Sequence, residues 1–274
     1  MLSTFRSRPL LSAFLIVLLY AIWFVLPVLV HGGIDLERKG IVGIEGALTM
    51  WRSEVVTAVV LALLVSLLGW WREIGFRSVK KGGLKFLLPI FFIALIFLNL
   101  AWVLNDSPKW FLGFDDPQQL FFLISVVLLL GFVEEGIFRG VLFYGLSTQF
   151  TPLFTVILTA LVFGLFHIVN LFAGAPLDQT IFQMIHAGAM GFLYAALRLR
   201  LGAVWPIMLI HALWDFSLFV LESSHHQQKT PPAELSLTLG IWVALPALFY
   251  GIFVYWRWSK TKSSITQQRT LCLY

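Results

Sequence analysis

Two adjacent glutamates and an arginine, Glu134, Glu135 and Arg139, interrupt an apolar run from Leu120 to Leu146. Glu135 and Arg139 stand four residues apart, which sets both on one helical face and permits an ion pair. Glu134 projects about 100° away from Glu135 and lacks that partner. A carboxylate without a partner suits general acid or base work, while the paired Glu135 and Arg139 suit structural support. Further along the chain, His167 and Asn170 fall in LVFGLFHIVN, His186 in FQMIHAG, and His211 and Asp215 in IMLIHALWDF, again four apart. A glutamate with a histidine makes a water-activating pair, and a second histidine beside a carboxyl can hold a developing oxyanion. The chemistry these residue types support is hydrolysis.

The elements that must position them read as membrane spans. The chain has 274 residues, 59% hydrophobic and 12% charged, with mean hydropathy +0.89. A soluble domain carries about 25% charged residues. The expected fold is therefore all-α, a polytopic membrane bundle, with residues 1–274 as one membrane domain and 118–222 carrying the chemistry. Apolar windows predict about eight transmembrane helices, near 10–30, 54–71, 84–104, 119–146, 152–172, 180–198, 203–221 and 236–256. A charge at the bilayer centre costs at least ~2.5–3.5 kcal/mol, so the trio in the fourth span needs a reason. Residues 1–104 show no intramembrane charge. Segments 31–53 and 105–118 read as the longest early loops, and the tail after Trp258 as a polar, frayed end. Equal membrane depth for His167 and the other polar residues calls for a fifth helix that starts late, near Thr155, or that is tilted, and the late start is favoured.

Loop charge sets the orientation. With the N-terminus inside, inner segments hold thirteen Lys and Arg and outer segments five, with Arg139 left within a span. That bias predicts both termini in the cytoplasm. The net charge of +5 then reflects cytoplasmic anchoring rather than nucleic-acid binding. Arg6 and Arg8 precede an apolar run long enough to span, so the N-terminus reads as a first helix rather than a cleaved signal. Trp70, Trp71, Trp205, Trp256 and Trp258 fall near span ends as interfacial anchors. The one cysteine, Cys272, excludes a disulfide framework and a cysteine-based zinc site. It is third from the end in LCLY, so the tail is not itself a prenylation box.

Gly136 and Gly140 have the small-xxx-small spacing that lets helices approach closely, and Gly131, Gly145, Gly188 and Gly191 extend the theme. His186 reads as a packing histidine, Asn170 as a bond to a neighbouring helix, and His225 and His226 as solvated loop residues. HExxH, GxSxG and Gly-rich phosphate loops are missing.

In order, the motifs are EExxxR at Glu134–Arg139, FxxxH at Phe163–His167 and HxxxD at His211–Asp215. This set resembles the CAAX protease and bacteriocin-processing (Abi) family of intramembrane proteases, related to the type 2 CAAX prenyl endopeptidases. EEGIFRGVLF, VFGLFHIVN and LRLRLGAVWPIMLIHALWDF are similar to it as well, over about residues 118–222. The resemblance implies that Glu134 with His167 activates water for attack on a peptide carbonyl, and that His211 and Asp215 stabilise the oxyanion. It implies membrane lipid and a membrane-associated or prenylated protein or peptide substrate as partners, no nucleic acid, and a plasma-membrane site opening to the cytoplasm. Where the prenyl endopeptidases have Asn in the last motif, this chain has Asp215. An ionised Asp must be protonated, orient His211 or bind a metal, because it cannot itself donate a hydrogen bond. Glu134, His167 and His211 fit a zinc or other divalent site, and the same residues fit a metal-free mechanism. Two readings stand beside the protease. One is a non-catalytic membrane protein such as a bacteriocin immunity factor or scaffold. The other is a proton-coupled transporter.

Overall fold

The computed structural model describes residues 2–31, 44–104, 117–172, 174–226 and 233–271. Among them the regular structure is helical. It comprises α1 (Leu2–Ser7), α2 (Pro9–His31), α3 (Ile44–Leu68), a 3-10 turn (Leu84–Leu87) leading into α4 (Leu88–Leu104), and α5 (Pro117–Glu135). A π-helical segment (Gly136–Leu142) joins α5 to α6 (Phe143–Ser147). There follow α7 (Pro152–Phe166), α8 (Val169–Phe172), α9 (Leu177–Leu201), α10 (Trp205–His226) and α11 (Ala233–Leu271). Helices satisfy their own backbone polar groups, which is what a chain this apolar needs where lipid offers no partners.

Six helical stretches among the described residues are long and apolar enough to cross a membrane: Pro9–Leu26, Leu48–Leu68, Leu84–Val103, Pro117–Ser147, Pro152–Phe172 and Leu177–Leu201. Trp205–Leu221 is a shorter apolar helix, and the expected eighth span, 236–256, falls within α11. Large apolar residues such as Leu67, Ile96 and Phe249 point outward, as lipid-facing side chains do. The protein is an all-helical integral membrane protein.

The packing puts the site's helices at the centre. α5 lies between α3 and α10, and α10 is backed by α4. α9 lies between α7 and α11, while α2 covers the π segment and α6. Small residues set the closest approaches. A methyl group on Gly131 of α5 would meet the Met208 carbonyl oxygen of α10 at 2.5 Å, so only glycine allows that crossing.

Several sequence expectations are corrected. α3 begins at Ile44, ten residues before the expected start, because Glu45, Arg52 and Glu54 depress the apolar window over a helix that nonetheless forms. Residues 44–53 are thus helix rather than loop, and Glu54 is a charged residue inside the bundle at 1% exposure. The expected late start of the fifth span is also overturned. Thr151 caps α7, its side chain accepting the Phe154 amide at 3.5 Å, and Pro152 occupies the first turn. The helix ends early instead, at Phe166. Its fifteen residues rise only about 22 Å, and His167 occupies the C-cap position. The backbone of His225 and His226 belongs to the end of α10 rather than a loop, and α11 continues through the polar tail to Leu271. Trp70 is core rather than interfacial anchor, at 2% exposure with its ring edge-on to Tyr144. Cys272 lies outside the described residues.

Candidate active site

Glu134 and Glu135 are the last two residues of α5, and the π segment starts immediately after them. A π segment carries one more residue per turn than its flanks tolerate, and such bulges concentrate at functional sites. Arg139 stands inside it, fully buried, with Nη1 donating to Glu135 Oε1 at 2.8 Å. The pair expected from the i,i+4 spacing therefore forms. The guanidinium also lies 4.0 Å over the Phe163 ring and 5.3 Å from that of Tyr194. These aromatic faces support a cation removed from water.

The same Glu135 oxygen accepts a second hydrogen bond, from His211 Nδ1 of α10 at 2.8 Å. With Nδ1 as donor, the other ring nitrogen of His211 is aimed at two further carboxyls. Nε2 lies 3.4 Å from Asp215 Oδ2 and 3.8 Å from Glu134 Oε2. A proton must sit among these atoms, on the imidazole or on a carboxyl, for the arrangement to be stable. Glu135 is thus buried in a bridge between Arg139 and His211, while Glu134 and Asp215 keep side chains 15% and 19% exposed.

His167 Nδ1 donates to the carbonyl of Phe163 at 2.9 Å. This fixes the tautomer and leaves Nε2 as an acceptor. The bond explains the FxxxH spacing: Phe163, one turn earlier, supplies both the carbonyl that orients His167 and the ring under Arg139. The helix end at Phe166 is what frees the imidazole from a regular helical face.

Glu134, His167, His211 and Asp215 line one cavity of about 480 Å³, and Phe163, Tyr194 and Trp214 form part of its apolar wall. That size lies in the range of ligand pockets, and an apolar lining with a few convergent polar groups is their usual make-up. The structure therefore brings together all four residues singled out as catalytic and places the two support residues behind them. His186 and Asn170 line it too. His186 stacks on Trp214 with centroids 6.2 Å apart, and Asn170 donates to Gln183 at 2.7 Å. These are the packing and inter-helix roles expected for both, now at the wall of the cavity.

Sequence reading missed two polar groups from the N-terminal helices. Glu54 of α3 and Tyr20 of α2 are 1% and 4% exposed. Tyr20 lies within electrostatic reach of both Glu54 and Glu134, and its ring stacks on Phe166 at 4.8 Å, next to His167. Their signal was present but weak: one polar residue at one end of each otherwise apolar stripe, Glu54, Ala58, Leu61, Val65 and Leu68 in α3, and Ala13, Ile16, Val17 and Tyr20 in α2.

Among the described residues no three His, Cys, Asp or Glu side chains converge to hold an ion. The two Nδ1 atoms are committed to Phe163 and Glu135, which leaves Nε2 as the open ring nitrogen of each histidine.

No curated protein and no solved structure matches the chain. Residues 116–217, from the start of α5 to the middle of α10, match the family model described as type II CAAX prenyl endopeptidase Rce1-like. That stretch holds all three motifs and all four cavity-lining residues of the expected site, so over these residues the chain is similar to the CAAX protease family that the motifs resemble.

Proposed function

We propose that the protein is an intramembrane endopeptidase that hydrolyses a peptide bond of a membrane-associated or prenylated, CAAX-type substrate. The observation that carries this reading is the convergence of Glu134, His167, His211 and Asp215 on one partly apolar cavity. Glu134 takes a proton from water while His167 Nε2 accepts that water's second hydrogen bond, directing a lone pair at the carbonyl carbon. The oxyanion that forms receives a hydrogen bond from His211 Nε2, which Glu135 aims from the opposite nitrogen. Glu134 then passes its proton to the leaving amine nitrogen as the C–N bond breaks, and the carboxylate is regenerated. Asp215 works through His211, holding the Nε2 proton at 3.4 Å, because an ionised carboxylate cannot donate to an oxyanion itself. Arg139 and Glu135 position this apparatus.

The same reading puts both termini in the cytoplasm, the cavity opening toward that side of the plasma membrane, and the whole chain in one membrane domain of about eight spans. Its support is the distribution of lysines and arginines. The test is cleavage of a prenylated peptide tail by purified protein in lipid, compared with Glu134→Gln. Product release lost in the variant, with folding retained, supports the reading. Equal cleavage overturns it. Cleavage by neither protein, across prenylated and unprenylated membrane tails, favours the non-catalytic membrane factor.

A further inference from the structure

A second cavity, of about 420 Å³, lies at the end of the bundle where α6 and α9 finish. Its wall includes Arg77, Lys80, Arg198 and Arg200 against one carboxylate, Glu73. The cations are built into place. Arg198, only 4% exposed, donates through Nε to the Arg139 carbonyl and through Nη2 to the Glu73 carbonyl, both at 3.2 Å. Arg77 donates to the Gly202 carbonyl and Lys80 to that of Leu199 at 3.2 Å. Arg200 reaches Thr261 at 3.4 Å and lies 4.8 Å over the Phe86 ring. Gly75, in a left-handed conformation at φ 109°, leaves the room in which Arg198 sits: a methyl there would meet its guanidinium at 2.7 Å.

These contacts are with neutral groups. Among the described residues none of the three arginines has a carboxylate partner, and Arg200 Nε is buried without any acceptor. Arg77 and Arg198 are within electrostatic reach of one another, so like charges are held together. Clustered guanidinium groups in a partly enclosed site call for an anion, and their planar forks match phosphate oxygens. Trp258 and Tyr144 line the same cavity, and such aromatics mark the headgroup level of a membrane. A basic pocket between spans at that level is the form that phospholipid headgroup sites take.

We propose that this cavity binds the phosphate of an anionic phospholipid headgroup. The proposal is independent of the hydrolytic reading, since it uses none of the four residues assigned to catalysis. Binding would also bear on the site, because Arg198 joins the cavity to the backbone of Arg139.

The experiment is native mass spectrometry of the purified full chain in detergent, titrated in separate arms with phosphatidylglycerol, phosphatidylcholine and inorganic phosphate. The wild type and Arg200→Gln are compared. Arg200 is half-buried with one long side-chain bond, so the variant is expected to fold, and size-exclusion with thermal unfolding checks this. Arg200→Lys serves as a charge-conserving second variant. Preferential retention of phosphatidylglycerol by the wild type, weakened about five-fold or more in Arg200→Gln and less in Arg200→Lys, supports the proposal. Equal retention by all three proteins overturns the site. Saturable inorganic phosphate binding lost in Arg200→Gln, with no preference among the lipids, overturns the lipid and assigns the cavity to free phosphate.

Discussion

His211 of α10 donates its Nδ1 proton to Glu135 of α5 at 2.8 Å, across 76 residues of sequence. That bond aims the opposite nitrogen into the cavity and fastens the HxxxD motif to the EExxxR motif. Removing Glu135 leaves both Arg139 and His211 facing a buried gap. Glu135→Ala is expected to lose about 3–5 kcal/mol of stability, the usual result of deleting one member of a buried pair. Thermal unfolding in detergent measures it. A variant that melts with the wild type would refute the bridge.

Glu134 sits at the cavity wall without such a partner. Glu134→Gln keeps the side chain's shape and removes its basicity. Its folding should match the wild type, while cleavage falls by about 10²–10⁴-fold, the range for a lost general base. Single-turnover cleavage of a prenylated peptide gives the number.

Asp215 is a sharper test of mechanism. If it acts by holding the His211 proton, Asp215→Asn substitutes a direct amide donor for an indirect one, and activity should survive. Asp215→Leu removes both options and should lose about 10²–10³-fold, as for an oxyanion-hole donor. Equal loss in the two variants would show that the charge itself is required.

Glu54 makes a prediction about stability alone. Its Oε2 is buried with no hydrogen-bond partner among the described residues, a costly state for a carboxyl. Glu54→Gln should therefore melt at the same temperature or higher. A clear drop would mean that its carboxyl is specifically bonded.

The lack of a three-residue metal-holding cluster among the described residues predicts that activity persists after dialysis against a chelator. A purified sample that loses cleavage on chelation and regains it with zinc would require Nε2 of His167 and of His211 to converge with a carboxylate on the ion, with the Nδ1 bonds to Phe163 and Glu135 kept.

The membrane class and the four cavity residues were legible because a charge in an apolar run has few innocent explanations. So was the pairing of Glu135 with Arg139, which local spacing dictates. The Glu135–His211 bond was not, since nothing in the chain says which of two adjacent glutamates meets a histidine 76 residues away. Nor was the π segment: one extra residue in a turn leaves no mark on composition. Glu54 was hidden by neighbouring charges that ended the apolar window early. A start near Thr155 was the wrong remedy for the depth of His167 in the fifth helix: α7 begins at Pro152 and carries it about 22 Å along. The start of that helix, Thr151 and Pro152, was readable as a cap, while its end at Phe166 has no Gly or Pro to announce it.

The early end of α7 has a further meaning. Backbone that leaves the helical ladder at membrane depth needs partners that hydrocarbon cannot give, and it survives only inside protein or against water. His167 sits at that break and at the cavity wall. The amides at the interruption find acceptors within the chain, His167 on Gly164 and Ile168 on Leu165, so the break is held by protein. On the proposed reading, a hydrolase working within a bilayer must be supplied with its second substrate, and the cavity beside the broken helix is where that water would be held.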